Sequence, residues 1–195
     1  ACGLKKEGAF ISPDSSRIKE NLKYEGEKIF TDFSKTSNVK ISIAHSEFRY
    51  ENTDFVLNVE GDYNIENALL VIEAAKKLNI PVEKIKEGLF NYKPIEKRWE
   101  VSEVKGLTFI NDSYNANPES MKAVLKTFLS VYNPPLVLVL GNMGELGKDE
   151  IAYHKEIGEF LCSYKTVKLL TVGNLAYYIL RNSMLEGVEF ETNFE

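Results

Sequence analysis

The sequence predicts an α/β protein in two parts, and two changes of pattern along its 195 residues support this division. Residues 9–60 consist of short apolar or alternating runs separated by Asp, Ser, Asn and Gly, which is typical of β-strands. Apolar residues then recur at helical spacing up to about residue 90. Beyond residue 94, apolar strands alternate with amphipathic helices, and this alternation predicts βαβ units on a parallel sheet.

The first part is expected to end in a pair of helices. The strands predicted before the pair cover residues 9–11, 28–33, 39–44 and 55–59. One face of the first helix, which we expect to end near residue 78, carries Ile65, Ala68, Leu69, Ile72 and Ala75. Pro81 begins the second, shorter helix, whose inward residues are predicted to be Val82, Ile85 and Leu89.

Residues 91–94 are the best candidate for a linker, because Pro94 resists continuation of the preceding helix. We therefore divide the chain into residues 1–93 and 94–195. The strands predicted in the second part cover residues 107–111, 136–140, 167–172 and 188–190. The helices predicted between them cover residues 118–131, 149–162 and 175–184.

Composition and charge argue against several function classes. The net charge is −5 and basic residues are interspersed with acidic ones, so no nucleic-acid surface is predicted. The longest apolar run, residues 134–140, fits a buried strand and is far shorter than the roughly 18 residues of a membrane span. Cys2 and Cys162 give neither metal-ligand spacing nor a disulfide framework, so we expect a reducing, cytoplasmic location.

The most informative stretch is Ile-Asn-Asp-Ser-Tyr-Asn-Ala-Asn-Pro at residues 110–118, which joins a predicted strand to a predicted helix. Asn117 is expected to be the N-cap of that helix and Pro118 its first residue. Capping does not account for three further polar side chains, Asp112, Tyr114 and Asn115. Because ligands gather at the carboxyl ends of strands and at helix N-termini, we predict a ligand role for these three.

Two weaker candidates precede this turn. Asn64 and Asn67 are three residues apart at the start of a helix, where amides could bind the edge of a base, although one of them could simply cap the helix. Arg98 follows the linker, and its guanidinium suits phosphate or ribose oxygens, although a single Arg is often a solvated surface charge.

The segment Gly141–Gly147 follows an apolar strand, and its three glycines permit a tight turn and close approach of a ligand or of another domain. It lacks the spacing of a dinucleotide-binding loop, and a plain connection remains the alternative. His154, beside an apolar helix face, is expected to be a structural histidine with satisfied hydrogen bonds.

These segments together resemble the Mur ligases of peptidoglycan synthesis. Residues 112–118, followed by Ser120 and Met121, resemble the signature of the members that add D-alanyl-D-alanine. Residues 61–68 are similar to the family's adenine-contacting turn, and Arg98 matches its arginine at the entry to the last domain. Residues 141–158 are similar to its glycine-rich loop with the histidine downstream. The matching segments run in the family's order and spacing from about residue 8 to residue 190.

The resemblance implies that residues 1–93 are the end of a central ATPase domain and residues 94–195 a Rossmann-like C-terminal domain, truncated at its end. The family's P-loop, magnesium ligands and carbamylated lysine lie upstream of the matching region. We therefore assign no catalytic residue and no metal ligand within this chain. Since the chain also starts without Met, we expect a piece of a longer polypeptide that is inactive alone.

The activity implied by the resemblance is an ATP- and Mg²⁺-dependent ligation of D-Ala-D-Ala to UDP-N-acetylmuramoyl-tripeptide (UDP-MurNAc-tripeptide) through an acyl phosphate, by a monomer. The resemblance assigns four residues to ATP: Asn64, Asn67, Arg98 and Asp112. Those assigned to the D-Ala-D-Ala side of the cleft between domains are Tyr114, Asn115 and Asn117. A loop that helps to close the cleft would contain Gly141, Asn142, Glu145 and Gly147.

The chain departs from the residues usual in the family at two positions, and two alternatives stay open. Tyr63 stands where the family usually has His, and Asn142 stands where it usually has Asp. One alternative is a related ligase, such as a folylpolyglutamate or cyanophycin synthetase, with another acceptor. The other is a non-catalytic module that binds a nucleotide or a partner.

Overall fold

The computed structural model describes residue 5 and residues 7–191, so Cys2 lies outside the described residues. The chain divides into two compact units, Ala1–Lys93 and Pro94–Glu195. This division falls inside the predicted linker, residues 91–94. That the first unit belongs to a central ATPase domain stays a prediction. Among the described residues, no helix has both the length and the apolar character that crossing a membrane requires.

The first unit contains five strands and three α-helices among its described residues. The strands are β1 (Ala9–Pro13), β2 (Glu27–Thr31), β3 (Ser37–Ser42), β4 (His45–Tyr50) and β5 (Thr53–Leu57). The helices are α1 (Ser16–Asn21), α2 (Asp62–Lys77) and α3 (Val82–Phe90). Strands β1 and β2 pair in parallel, whereas β3, β4 and β5 form an antiparallel sheet in that order. The β-rich region and the helix pair are therefore confirmed.

The core of this unit lies between α2, α3 and the antiparallel sheet. All five apolar residues predicted for one face of α2 are buried, and they pack with Phe48, Phe55 and Leu57 of the sheet. The prediction for Val82 is wrong, because it is 44% exposed. It begins α3 and lines a surface cavity with Ile80, while the following turns carry the buried residues of that helix, Ile85 and Leu89.

Two elements of the first unit were not predicted. Helix α1 buries none of its residues, so it carries no apolar periodicity that a sequence pattern could show. Strand β4 does alternate, but its first inward residue is Ser46, whose hydroxyl donates to the Val59 carbonyl at 2.7 Å. A polar residue that is buried through a hydrogen bond interrupts the apolar alternation on which the prediction depended.

The second unit contains the predicted alternation of strands and helices. Its strands are β6 (Glu100–Val104), β7 (Leu107–Asn111), β8 (Leu136–Gly141), β9 (Val167–Val172) and β10 (Gly187–Phe190). Its α-helices are α4 (Pro118–Val131), α5 (Glu150–Leu161) and α6 (Tyr177–Ser183). Strands β8, β9 and β10 form a parallel sheet in that order, which confirms the predicted sheet type.

Strand β7 does not belong to this sheet, so the inclusion of residues 107–111 among the parallel strands is wrong. It pairs antiparallel with β6 through the connection Lys105-Gly106. Both connecting residues have positive φ, 54° and 79°, which is typical of the two-residue turns that close hairpins. This short turn makes β6 the neighbour of β7.

Strand β8 was predicted to be buried throughout, and this is wrong for one of its faces. Leu136 and Leu138 are buried, but Val137 and Val139 are 53% and 64% exposed. The described helices α4, α5 and α6 pack on the face with Leu136 and Leu138, through residues that include Leu125, Ile157 and Ile179. The alternation of burial along β8 follows from this one-sided packing.

Candidate functional site

The polar turn after β7 is fastened to the chain segment that precedes β6. The Asp112 carboxylate is half-buried, and its Oδ1 accepts a hydrogen bond from the backbone N–H of Trp99 at 2.9 Å. The backbone N–H of Tyr114 donates to the Lys97 carbonyl at 3.1 Å. Two hydrogen bonds therefore join residues 97–99 to the start of the turn.

The backbone on both sides of Arg98 is in the left-handed region. Lys97 has a φ of 60° and Trp99 a φ of 53°, conformations that cost non-glycine residues about 1–2 kcal/mol each. The Trp99 side chain is only 4% exposed and anchors this conformation. Because the flanking residues are fixed, the direction in which Arg98 leaves the backbone is fixed as well.

The Arg98 side chain stacks on the aromatic ring of Tyr114. The centre of the guanidinium lies 4.2 Å from the ring centroid, within the range of a cation–π contact. Tyr114 is 62% exposed and Arg98 is exposed too, so both remain accessible to a ligand. The joined segments therefore carry a cation and a carboxylate that were predicted to bind ATP, Arg98 and Asp112, and a phenol that was predicted to lie on the D-Ala-D-Ala side, Tyr114.

Asn117 is the N-cap of α4, as predicted, with Pro118 as the first helical residue. Its Oδ1 accepts from the backbone N–H of Ser120 at 2.9 Å, and the Ser120 hydroxyl accepts from the N–H of Asn117 at 3.3 Å, which completes a capping box. Asn115 is exposed, and its Oδ1 accepts from the N–H of Ala116 at 2.9 Å. The amide oxygens of both residues are therefore used within the turn.

In the first unit, the N-cap of α2 is Gly61, with a φ of 109°, so the alternative that Asn64 or Asn67 caps this helix is wrong. The Nδ2 group of Asn64 donates to the Glu60 carbonyl at 2.7 Å, across the start of the helix. Asn67 lies one turn further along and is exposed. Of the two amides, Asn67 is the more accessible.

The loop after β8 is fastened at its first residue, Asn142. The Asn142 Oδ1 accepts hydrogen bonds from the backbone N–H groups of Leu175 and Ala176, at 3.0 Å and 2.8 Å. Its Nδ2 donates to the Oδ1 of Asn174 at 3.0 Å. A side chain at Gly173 would collide with this amide, which leaves room only for glycine there. Asn142 therefore connects the loop to the turn between β9 and α6.

The same loop is fastened a second time through Met143. The Met143 side chain is fully buried, and its backbone N–H donates to Nε2 of His154 at 2.9 Å. The expectation of a structural histidine is thus confirmed. Beyond Met143 the chain turns through Glu145, with a φ of 60°, and Gly147, with a φ of 66°. The exposed part of the loop is short and has a fixed base.

Sequence reasoning missed three residues that shape these sites: Lys97, Trp99 and Asn174. Lys97 and Trp99 shape the site through their positive φ, which cannot be predicted from their residue types. Asn174 acts through a contact with Asn142, which is distant in sequence. In the described part of the chain, no three His, Cys, Asp or Glu side chains are grouped so that they could hold a metal ion.

Comparison with protein families gives a match over most of the second unit. The family model described as "Mur ligase, glutamate ligase domain" matches residues 97–189. The matched region includes the Arg98–Tyr114 stack, the α4 cap and the loop that His154 holds.

A curated relative extends the similarity into the first unit. The protein named UDP-N-acetylmuramoyl-tripeptide–D-alanyl-D-alanine ligase from Buchnera aphidicola subsp. Baizongia pistaciae is 33% identical over 189 residues. The matched region covers 89% of this chain and 40% of the relative. The chain therefore spans less than half the length of this relative.

Two solved structures have the same fold. MurF from Acinetobacter baumannii matches with a TM-score of 0.83 and 24% identity, covering 97% of this chain and 44% of that one. The MurF ligase from Thermotoga maritima in complex with ADP matches with a TM-score of 0.80 and 18% identity, covering 97% and 45%. Because both identities are below 25%, these structural matches show the fold alone.

Proposed function

We propose that the chain, whose residues 97–189 match the Mur ligase family model, is part of an ATP-dependent ligase that adds D-alanyl-D-alanine to UDP-MurNAc-tripeptide in peptidoglycan synthesis. The observation that carries the proposal is the 33% identity over 189 residues with a relative of that name, since it includes both units. The chain covers 40% of this relative, so the activity is proposed for the complete encoded protein.

The groups around Arg98 fit part of a nucleotide. A guanidinium has five N–H donors, and stacking through its face leaves the donors at its edge free to approach phosphate or ribose oxygens. A carboxylate has about four acceptor positions, so Asp112 can accept from a ribose hydroxyl while it holds the Trp99 N–H. We assign Arg98 and Asp112 to ribose or phosphate on this ground.

Asn64 and Asn67 are assigned to adenine, with Asn67 as the main contact. Its exposed amide offers a donor and an acceptor, which matches the paired groups on the edge of the base. Asn64 uses its Nδ2 for the Glu60 carbonyl and would contribute mainly its Oδ1. Tyr63, which stands where the family usually has His, precedes this pair.

Tyr114, Asn115 and Asn117 are assigned to the D-Ala-D-Ala side of the site. The amide oxygens of the two asparagines are engaged in the turn, so their Nδ2 groups are the donors that remain for a peptide carbonyl or carboxylate. Gly141, Asn142, Glu145 and Gly147 belong to the loop proposed to close the site. Its base is fixed by Asn142, so Glu145 and Gly147 are the residues expected to approach a ligand.

When bound, ATP with Mg²⁺ would supply the phosphoryl group that activates the carboxylate of UDP-MurNAc-tripeptide. The residues of this chain would bind and orient the nucleotide and the incoming amine, a contribution that rests on positioning. We therefore expect the 195 residues alone to be inactive. A monomer in the cytoplasm remains our prediction for the complete protein.

Phosphate release from ATP by the complete encoded protein tests the proposal. We expect release that requires both UDP-MurNAc-tripeptide and D-Ala-D-Ala, with a ligated product of the summed mass less water. In control reactions, glutamate or aspartate replaces D-Ala-D-Ala as the acceptor. Release that depends on glutamate or aspartate instead would establish a related ligase, and failure of every acceptor together with the lack of an upstream phosphate-binding motif would favour a non-catalytic module.

A further inference from the structure

We propose that Tyr114 is a positioning residue whose ring holds the Arg98 guanidinium in place for the nucleotide, and whose hydroxyl is dispensable for that task. The inference rests on the proposed function and refines it, because Tyr114 was assigned above to the D-Ala-D-Ala side. The contact between Arg98 and Tyr114 would then link the residues assigned to ATP with those assigned to D-Ala-D-Ala.

The first support is the way in which the two residues are fixed. Tyr114 and Arg98 lie on segments that are joined by the hydrogen bond from the Tyr114 N–H to the Lys97 carbonyl. A second hydrogen bond, from the Trp99 N–H to Asp112, joins the same segments on the other side of Arg98. These two hydrogen bonds therefore hold together the backbone segments from which the guanidinium and the ring approach each other to 4.2 Å.

The second support is what the stack leaves unused. Among the described residues, the Arg98 side chain forms no ion pair, and the ring of Tyr114 is its partner. Stacking engages the face of the guanidinium and leaves its N–H groups in the plane, where they can meet phosphate or ribose oxygens. An exposed arginine without such a platform must lose its rotamer freedom on binding, and a platform that holds it beforehand reduces this cost.

The third support concerns the Tyr114 hydroxyl. Within the described part of the chain, no hydrogen bond of this hydroxyl is present, whereas the ring has a defined contact. If the ring is the functional part, Phe can replace Tyr at this position and Leu cannot. Because Tyr114 is 62% exposed, both substitutions are expected to leave the fold intact.

Binding of ADP to the complete encoded protein, measured by calorimetry, tests the inference. Tyr114→Phe should bind ADP as the unsubstituted protein does, while Tyr114→Leu should weaken binding by about two- to fivefold, the range of an exposed cation–π contact. Arg98→Ala should also weaken binding, and adding Tyr114→Leu to it should cause little further loss, because the two residues act as a pair.

A second measurement does not depend on nucleotide binding. In protein labelled with ¹⁵N-arginine, the Nε–Hε resonance of Arg98 should be displaced by the aromatic ring in the unsubstituted protein and in Tyr114→Phe. In Tyr114→Leu it should move to the position of a solvated arginine. A resonance that is the same in all three proteins would show that the stack is absent in solution and would overturn the inference.

The calorimetric outcomes separate this inference from the proposed function. Equal weakening by Tyr114→Phe and Tyr114→Leu would mean that the hydroxyl is required, and unchanged binding by Tyr114→Leu would mean that the ring is not. Either result overturns the positioning role of the ring while the proposed function stands. Failure of the unsubstituted protein to bind ADP or ATP would overturn the proposed function and the inference together.

Discussion

The backbone N–H of Met143 donates a hydrogen bond to Nε2 of the fully buried His154, at a distance of 2.9 Å. Since Nε2 accepts, the neutral imidazole carries its proton on Nδ1, which lies 2.6 Å from the Glu150 carbonyl and donates to it. His154 thus joins the loop after β8 to the first turn of α5. Both of its nitrogens are occupied in holding the backbone.

We expect His154→Leu to lower the free energy of unfolding by about 1–3 kcal/mol, because the buried Met143 N–H loses its acceptor. Urea denaturation followed by circular dichroism measures the change. His45→Leu is the control, since His45 lies half-exposed on β4 and its substitution should shift stability by no more than about 0.5 kcal/mol. Equal effects of the two substitutions would contradict the role assigned to His154.

The crossing of α5 and α6 depends on Gly158. A Cβ atom at this position would lie 2.5 Å from the Ile179 carbonyl oxygen and 2.8 Å from the Asn182 Cβ. Gly158→Ala should therefore destabilise the protein by about 1–3 kcal/mol, the range for an overpacked core. Thermal unfolding monitored by circular dichroism would reveal a lower Tm.

Gly88 provides the matched control, because it lies inside α3 and a Cβ there would meet no atom within 4 Å. Gly88→Ala should stabilise the protein by about 0.4–1 kcal/mol, since alanine favours the helix and restricts the unfolded chain. Opposite signs for the two Gly→Ala substitutions are expected. A loss at Gly88 as large as at Gly158 would show that close packing is not the cause.

The fold could be predicted where local signals and long-range packing agree. Helix α4 begins and ends at the predicted residues because Asn117 and Pro118 mark its start and its apolar face is regular. Strand β7 has the predicted bounds, but its assignment to the parallel sheet was wrong, and so was the predicted burial of the outer face of β8. Strand pairing and the face on which helices pack depend on partners distant in the chain, and an apolar run alone does not identify them.

The candidate site was predictable in its residue types but not in its geometry. The polar turn identified Asp112 and Tyr114, and the position after the linker identified Arg98. The stack between Arg98 and Tyr114 is made from a backbone segment in which both neighbours of Arg98, Lys97 and Trp99, have positive φ. A lysine and a tryptophan rarely adopt this conformation, so nothing in their residue types predicts it.

Asn142 gives a third prediction, because its side chain joins the loop after β8 to the turn before α6. Asn142→Ala removes the acceptor of the Leu175 and Ala176 N–H groups and should cost about 1–3 kcal/mol of stability. Asn142→Asp keeps an oxygen for both, and Asn174 can turn its amide to donate to the carboxylate.

The Asn142→Asp variant should therefore stay within about 0.5 kcal/mol of the unsubstituted protein. Chemical denaturation of both variants makes the comparison. The carboxylate that this variant introduces would match the residue type usual at this position in the family that the sequence resembles. If Asn142→Asp were as unstable as Asn142→Ala, the amide itself would be required.

Tyr50 gives a prediction for the pH dependence of stability. Burial and the neighbouring Glu73 carboxylate, to which its hydroxyl donates at 3.0 Å, raise the pKa of Tyr50 to about 12. The folded state thus holds the phenol proton more tightly than the unfolded state, where the pKa is about 10. This contribution to stability is complete below about pH 10 and is lost as the pH rises through about 12.

Thermal unfolding between about pH 9 and 12 tests this linkage. Tyr50→Phe should lower stability at neutral pH, because the Glu73 carboxylate loses a donor. It should also make the fall in stability above about pH 10 less steep than in the unsubstituted protein, since the group that titrates has been removed. Parallel curves for the two proteins in this range would assign the alkaline loss to other groups.

Asp112 tests whether the polar turn serves the nucleotide or only its own fold. Asp112→Ala removes both the charge and the acceptor of the Trp99 N–H, so it should lower stability. It should also raise the KM for ATP, or lower kcat, by more than about tenfold in the complete protein.

Asp112→Asn keeps an oxygen for Trp99 and removes only the charge. If the carboxylate binds the ribose or orients the nucleotide, the Asn variant should unfold like the unsubstituted protein and still show the kinetic loss. Normal kinetics in the Asn variant would make Asp112 a structural link between the turn and Trp99 and would remove it from the nucleotide site.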